Sequence, residues 1–400
     1  MTRTGQHRSP LPGEAPEGLP PTAGHGRVAA LDGLRGIAVL LVVLGHGLGA
    51  AWQLEDTPVA RLFEVPFNGG VGVTVFFVLS GYLITSILVR ERERTGRVSL
   101  RDFYLRRTFR ILPAFYVFLA VVAVLAAVGA IRVGGSDLLA SGLMVHNYWS
   151  AGDTWWLGHT WSLAVEEQFY LVWPLLLLWL RPRRACQFGV AYLLAAPVVR
   201  VASYVFVPDS QDQVWEMFHT RADSLLTGCL IALLPVAYPG VWARVRRWAG
   251  LRAAVPLAVV AVLVSSALEV TLGGVWSFPA GYTVTNLATA VVVVSITTAG
   301  ARTTRTTRVL SWRPLAAVGL ISYSLYLYQQ VFLPEFGLTP SLAGSSGPWT
   351  ALLGIAAALV AATMSYHLVE QPFLRLKNRF SRVSLPTGPR AARDETADPS

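Results

Sequence analysis

The sequence predicts an all-α fold: a polytopic transmembrane helix bundle of about ten spans with both termini in the cytoplasm. Three observations predict it. Hydrophobic residues make up 53% of the 400 and charged residues only 14%, with a mean hydropathy of +0.49, whereas a soluble domain carries about 25% charged residues. The apolar residues come in blocks of roughly 20, the length that crosses a ~30 Å hydrocarbon core at ~1.5 Å per residue. The arginines fall between the blocks, on alternate loops.

The blocks are 29–51, 69–90, 111–131, 160–180, 185–207, 215–237, 251–270, 280–299, 309–333 and 348–370. A further apolar piece, 137–149, is too short to cross and reads as a re-entrant or interfacial helix. Before the first block, residues 1–28 are rich in Pro, Gly and Thr and read as a disordered tail, with no apolar core for a cleavable signal. The first block is therefore expected to be a retained span. The transmembrane domain is expected over 29–375, and the polar stretch 376–400 reads as a second disordered tail.

Loop charge orients the chain. One set of loops holds Arg90, Arg92, Arg94, Arg97, Arg101, Arg106, Arg107 and Arg110, then Arg181, Arg183 and Arg184, then Arg244, Arg246 and Arg247, then Arg302, Arg305 and Arg308. The other set holds Arg61 and Arg132. Positive loops stay inside, which puts both termini in the cytoplasm and the chain in the cytoplasmic (inner) membrane as a multi-pass protein. The net charge of +10 is thus a matter of topology, and no nucleic acid is expected as a partner. Cys186 and Cys229 sit inside apolar blocks and form neither a disulfide framework nor a metal set.

Ionisable residues at span depth are costly unless paired or hydrated, so each is a candidate for function. They are Asp32, Arg35, His46, Glu166, Glu167, Arg200, Arg221, Asp223, His367 and Glu370. Arg35 and His46 are eleven residues apart, which on a helix returns to within ~20° of one face after a rise of ~16 Å. That stripe offers a fixed cation suited to phosphate or carboxylate and an imidazole suited to proton transfer. The plainer alternative is an Asp32–Arg35 pair closing the helix end and a packing histidine. On the fourth block, Ser162, Glu166, Tyr170 and Trp173 share a face, and one of the adjacent carboxylates Glu166 and Glu167 could orient an imidazole. Arg221 and Asp223 on the sixth block read as a structural ion pair, at a depth shared with His46 and Glu166. RDFYLRRTFRILP at 101–113 suits an anionic, nucleotide-like carrier, with lipid headgroups as the competing ligand. In the second block, Gly69, Gly70, Gly72, Ser80 and Gly81 are small residues for close helix packing. No GxxxxGK[ST] loop, HExxH motif, Cys/His cluster or GxSxG elbow occurs, so neither ATP hydrolysis nor a metal is indicated.

These segments resemble the acyltransferase 3 family of integral-membrane acyltransferases. LDGLRGIAVLLVVLGH resembles its first-span motif, with Arg35 and His46 at the matching positions. VGVTVFFVLSGYLIT resembles its second-span motif, and FYLRRTFRILP its Arg-x-x-Arg region, with Arg107 and Arg110. TWSLAVEEQFYLVWPLL resembles its fourth-span motif, carrying Trp161, Ser162, Glu166 and Glu167, while TRADSLLTG and SYHLVEQPF also look like family segments. The resemblance runs in order from about 29 to 375. One departure stands in GLISYSLYLYQQVFL: many relatives carry a histidine after the aromatic cluster, where this chain has Gln329 or Gln330, so no role of that histidine carries over.

The resemblance implies an O-acyltransferase with acyl-CoA as co-substrate and no bound cofactor. Arg35, Arg107 and Arg110 would engage the coenzyme, His46 would act as general base or help form an acyl-enzyme, and Glu166 would orient it. Asp32, Ser162, Glu167, Arg221 and Asp223 would support them. The acceptor would be a hydroxyl of a glycan, glycolipid or metabolite, and the acyl group an acetyl, with membrane lipid around the whole. A transporter or flippase of an amphiphile, or a non-catalytic relative, would also place buried charges in ten spans, although no two-fold repeat is visible.

Overall fold

Each of the ten apolar blocks becomes a helix in the computed structural model, which describes residues 25–52, 65–149, 155–299, 304–333 and 348–380. They are α1 (His25–Trp52), α2 (Gly69–Thr95), α3 (Leu100–Ala127), α4 (Thr160–Trp179), α5 (Pro182–Phe206), α6 (Phe218–Ala237), α7 (Ala254–Leu272), α8 (Tyr282–Thr298), α9 (Ser322–Phe332) and α10 (Pro348–Ser365). Among the described residues there is no strand. The tail residues before 25 and after 380, and Arg61, lie outside the described residues.

Eight of these helices are long and apolar enough to span a bilayer: α1, α2, α3, α5, α6, α7, α8 and α10. Two depart from a simple span. The block 309–333 is broken into Arg313–Leu320 and α9, bent by 75°. At the bend, Gly319 lies so close to α1 that a Cβ there would sit 1.8 Å from the Asp32 carbonyl oxygen. A continuous helix would have to give up that contact or the path of α9. α4 is 20 residues long, about 30 Å, enough to cross, but Glu166, Glu167 and Gln168 dilute its apolar character. The piece expected to be re-entrant forms the short helix Gly135–Gly142 and a 3-10 turn at His146–Tyr148, far too short to cross.

Helix ends follow their local chemistry. Asn68 caps α2 by accepting from the Val71 N–H, and Gly96 closes it in the left-handed region at φ 73°, where a residue without Cβ is unstrained. Ser99 caps α3 three residues later. This short Gly96–Ser99 connection folds the arginine-rich start of α3 against the end of α2.

The bundle is layered. In α6, 89% of the apolar window is buried, against 17% for α5 and α7 and 22% for α10. So α2 and α6 form the centre, while α5, α7 and α10 lie outermost, exposing Leu194, Val198, Leu257 and Leu353. Small residues permit the central contact: a Cβ on Gly81 would meet the Leu225 carbonyl at 1.9 Å, and one on Gly228 the Val78 carbonyl at 2.0 Å. Gly72 meets α1 in the same way at Ala38. Dispersion at close backbone approach is the main attraction available between helices in lipid. Gly70 is exposed and takes no part.

Candidate functional site

α2, α3, α4 and α9 enclose a cavity of about 290 Å³, with Arg35 of α1 on its wall. Along α2 its lining runs from Val73 to Ile87, about 21 Å of helix. One end is basic: Arg35, Arg106, Arg107 and Arg110 converge there. The shaft is apolar, formed by Phe76, Phe77, Leu79, Leu83 and Phe103, and the far end carries Ser162 and Tyr326.

The four arginines are not equivalent. Arg106 is held by Glu91 at 3.0 Å, and Glu91 also accepts from the Ser99 N–H at 2.7 Å. That carboxylate therefore staples the α2–α3 connection and uses up one cation. Among the described residues, Arg35, Arg107 and Arg110 form no ion pair within 4.0 Å. The Asp32–Arg35 end pair offered as the plainer alternative is thus not formed, although Asp32 interacts electrostatically with Arg35 and Arg110. Arg107 lies over the ring of Tyr170 at 4.4 Å, which fixes its plane and leaves its N–H groups for other acceptors. Glu370, accepting from Ser324 at 3.3 Å, faces Arg110 and Arg35 from beyond α10.

Glu166 lines the shaft. It accepts from the Tyr170 hydroxyl at 3.1 Å, and Ser80 donates to the same phenol oxygen. Ser80, expected as a packing residue, is therefore part of the cavity's polar wall. The expected partnership of Glu166 with His46 is not what the geometry holds; its hydrogen-bond partner is Tyr170, and Arg107 is the charge that acts on it most strongly. Glu167 has a buried oxygen without a partner and does not line the cavity. Ser162, the Tyr326 hydroxyl and the His159 carbonyl form a three-way contact, with Ser162–Tyr326 at 2.6 Å and Tyr326 to the carbonyl at 3.1 Å.

His46 stands just beyond this far end, not on the cavity wall. Its Nδ1 is 2.8 Å from Gln329 Oε1, and its ring meets Trp155 edge-on at 5.4 Å. Gln329 is one turn along α9 from the cavity-lining Tyr326. The neighbouring Gln330 binds His159 through both its Nδ1 and its backbone N–H and accepts at its own carbonyl from Trp155 Nε1 at 3.0 Å. So the two glutamines of the departing ninth-span motif each hold one histidine.

Arg221 and Asp223 are not paired with each other. Asp223 binds Arg200 at 2.9 Å and accepts from Asn286 at 2.9 Å. Arg200 also donates to the Phe278 and Thr220 carbonyls and to Thr283. Arg221 donates to Thr74 at 3.0 Å and packs its guanidinium on the Tyr282 ring at 4.1 Å. Neither lines the cavity, so the single polar site expected from His46, Glu166 and Arg221 at one depth is divided between two places. Sequence reasoning missed Tyr323 and Tyr326 as parts of the site, and it marked Gln329 or Gln330 only as standing in place of the family's histidine, without assigning either a role.

This arrangement can be set beside known proteins. The profile of the acyltransferase 3 family, described as an acyltransferase domain, matches residues 28–367. The chain belongs to that family. Family relatives include the peptidoglycan O-acetyltransferase OatA of Listeria monocytogenes, 31% identical over 372 residues, covering 86% of this chain and 55% of the relative. The putative peptidoglycan O-acetyltransferase YrhL of Bacillus subtilis is 30% identical, over 88% of this chain and 55% of its own length. A putative O-acetyltransferase of Staphylococcus aureus is 28% identical. The chain thus spans about half the length of the curated relatives it matches. No solved structure matches it.

Proposed function

We propose that this acyltransferase 3 family protein is a membrane O-acyltransferase that moves an acetyl group from acetyl-CoA to a carbohydrate hydroxyl. The observation that carries the reading is the cavity: arginines with no ion partner among the described residues at one end, a mostly apolar shaft lined along about 21 Å of α2, and a histidine just beyond the other end. Coenzyme A has the complementary form, with anionic phosphates at one end and a thioester at the tip of a long, thin arm. The relatives' printed names, O-acetyltransferases of peptidoglycan among them, favour acetyl as the group and a glycan as the acceptor.

In this reading the arginine-rich side is cytoplasmic by loop charge, and the membrane is the cytoplasmic one. Arg35, Arg107 and Arg110 bind the coenzyme phosphates by charge-assisted hydrogen bonds. Tyr170, bridging Ser80 and Glu166, stiffens the shaft and holds the face on which Arg107 lies. The thioester reaches the Ser162–Tyr326 end. There His46 Nε2 takes the proton of an acceptor hydroxyl as its oxygen attacks the thioester carbon. The C–S bond breaks, and the imidazolium returns its proton to the departing thiolate.

The test is transfer from labelled acetyl-CoA in membranes carrying the wild type or His46→Ala, with glycan extract as acceptor. The variant is expected to insert normally and lose transfer by about 100-fold or more, the scale of a general base. Wild-type transfer by the inserted variant would reduce His46 to a packing residue. Failure of both proteins to consume any acyl-CoA would favour a transporter.

A further inference from the structure

We propose that Gln329 is a positioning residue that selects the Nδ1–H tautomer of His46 and so directs the basic Nε2 at the acceptor hydroxyl. The inference rests on the general-base reading above and adds the device that makes the histidine a base on one defined side.

The Gln329 side chain is fully buried and carries its amide oxygen to 2.8 Å from His46 Nδ1. An amide oxygen can only accept. A proton must therefore sit on Nδ1, and the neutral ring then has its lone pair on Nε2. In this orientation the amide nitrogen of Gln329 has no partner. The Trp155 ring edge on the imidazole limits its rotation and keeps the bond aligned.

The partner's neutrality matters as much as its geometry. A carboxylate behind a catalytic imidazole both orients it and raises its basicity through charge. Gln329 orients without charge. The helices packed around His46 supply none either: α9 and α10 contain no charged residue, and the charges of α2 cluster at its other end, from Arg90 to Arg94. The titratable group that interacts with His46 is His159, itself held by Gln330. The pairing thus makes a single-sided imidazole in apolar surroundings, with the Nε2 lone pair left to accept a proton from a hydroxyl.

The experiment measures the pH dependence of kcat/KM for acetyl transfer, and kcat and KM separately, in wild type, Gln329→Glu and Gln329→Met. Methionine keeps length and shape but offers only a weak acceptor. Gln329→Met is expected to lower kcat about 10-fold or more, a part of the roughly 10²–10⁴-fold that a general base contributes, with the KM for acetyl-CoA unchanged. Gln329→Glu should move the acid limb of the profile up by about one pH unit or more, because a carboxylate favours the protonated ring. If Gln329→Glu does not insert, the kcat-against-KM split of Gln329→Met decides alone. Wild-type kcat in Gln329→Met, or an unmoved acid limb in folded Gln329→Glu, overturns the positioning role even where His46→Ala is inactive. An active His46→Ala would instead remove the general-base reading, and this inference with it.

Discussion

Two arginine clusters, one buried and one half-buried, sit within the same bundle and are built on opposite plans. Around Arg200, every cationic edge is answered: a carboxylate at 2.9 Å, two backbone carbonyls and a hydroxyl. Around the cavity, Arg35, Arg107 and Arg110 face one another with no ion pair of their own among the described residues, and Asp32, Glu166, Glu167 and Glu370 temper them at longer range. A buried cation costs several kcal/mol unless it is paired. The first cluster meets that cost inside the chain and ties α5 and α6 to α8 and the segment before it. The second, half-buried, leaves part of that cost open, and in the proposed reading an entering anion meets it. In the proposed reading the same residue type is structural in one place and receptive in the other; Arg221, buried without a carboxylate but bonded to Thr74 and stacked on Tyr282, follows neither plan, so opening onto the cavity and lack of pairing together make the distinction.

The comparison can be broken most severely at Arg200. Arg200→Met leaves Asp223 buried without its cation, and the expected loss is about 3–5 kcal/mol of stability, read as a lower melting temperature and yield in detergent. Arg200→Met with Asp223→Leu should recover much of it. Arg110→Ala should do the reverse: melting unchanged or raised, since mutual repulsion is relieved, and the KM for acetyl-CoA raised by roughly 10- to 100-fold, the loss of about 1.5–3 kcal/mol from one charged contact. A fall in melting temperature as large as that of Arg200→Met would erase the distinction. Arg107→Lys sharpens it further. The charge remains but the planar stack on Tyr170 weakens, so a KM increase of about 3- to 10-fold is expected, corresponding to about 1 kcal/mol. The smallest effect is expected from Tyr170→Phe, which removes the bridge between Ser80 and Glu166 and should cost about 1 kcal/mol of stability while retaining the ring under Arg107.

The sequence was most readable where one chemical fact suffices. Blocks of apolar residues mark the helices, and arginines amid aromatics at 101–113 mark the basic end of the cavity. α4 was found as a block despite its adjacent carboxylates, because its Leu-rich second half carries the signal. Two things were not readable. The bend at Ile321 depends on Gly319 meeting Asp32, a contact set by three-dimensional packing. Partner choice was the other. Arg221 and Asp223 look paired in sequence, but residues two apart lie on different faces of a helix and do not meet, so Asp223 binds Arg200 from α5 instead. His46 and Gln329 are 283 positions apart, and no local pattern connects them.

The central claim is that the arginine end binds the coenzyme and the histidine end does the chemistry, as separable functions. Binding of labelled coenzyme A to the purified protein, compared between His46→Ala and Arg110→Ala, tests it most directly. The account predicts wild-type affinity with abolished transfer in His46→Ala, and affinity at least about 10-fold weaker in Arg110→Ala. Equal binding by wild type and both variants would contradict it, because the unpaired arginines would then be holding something other than the donor.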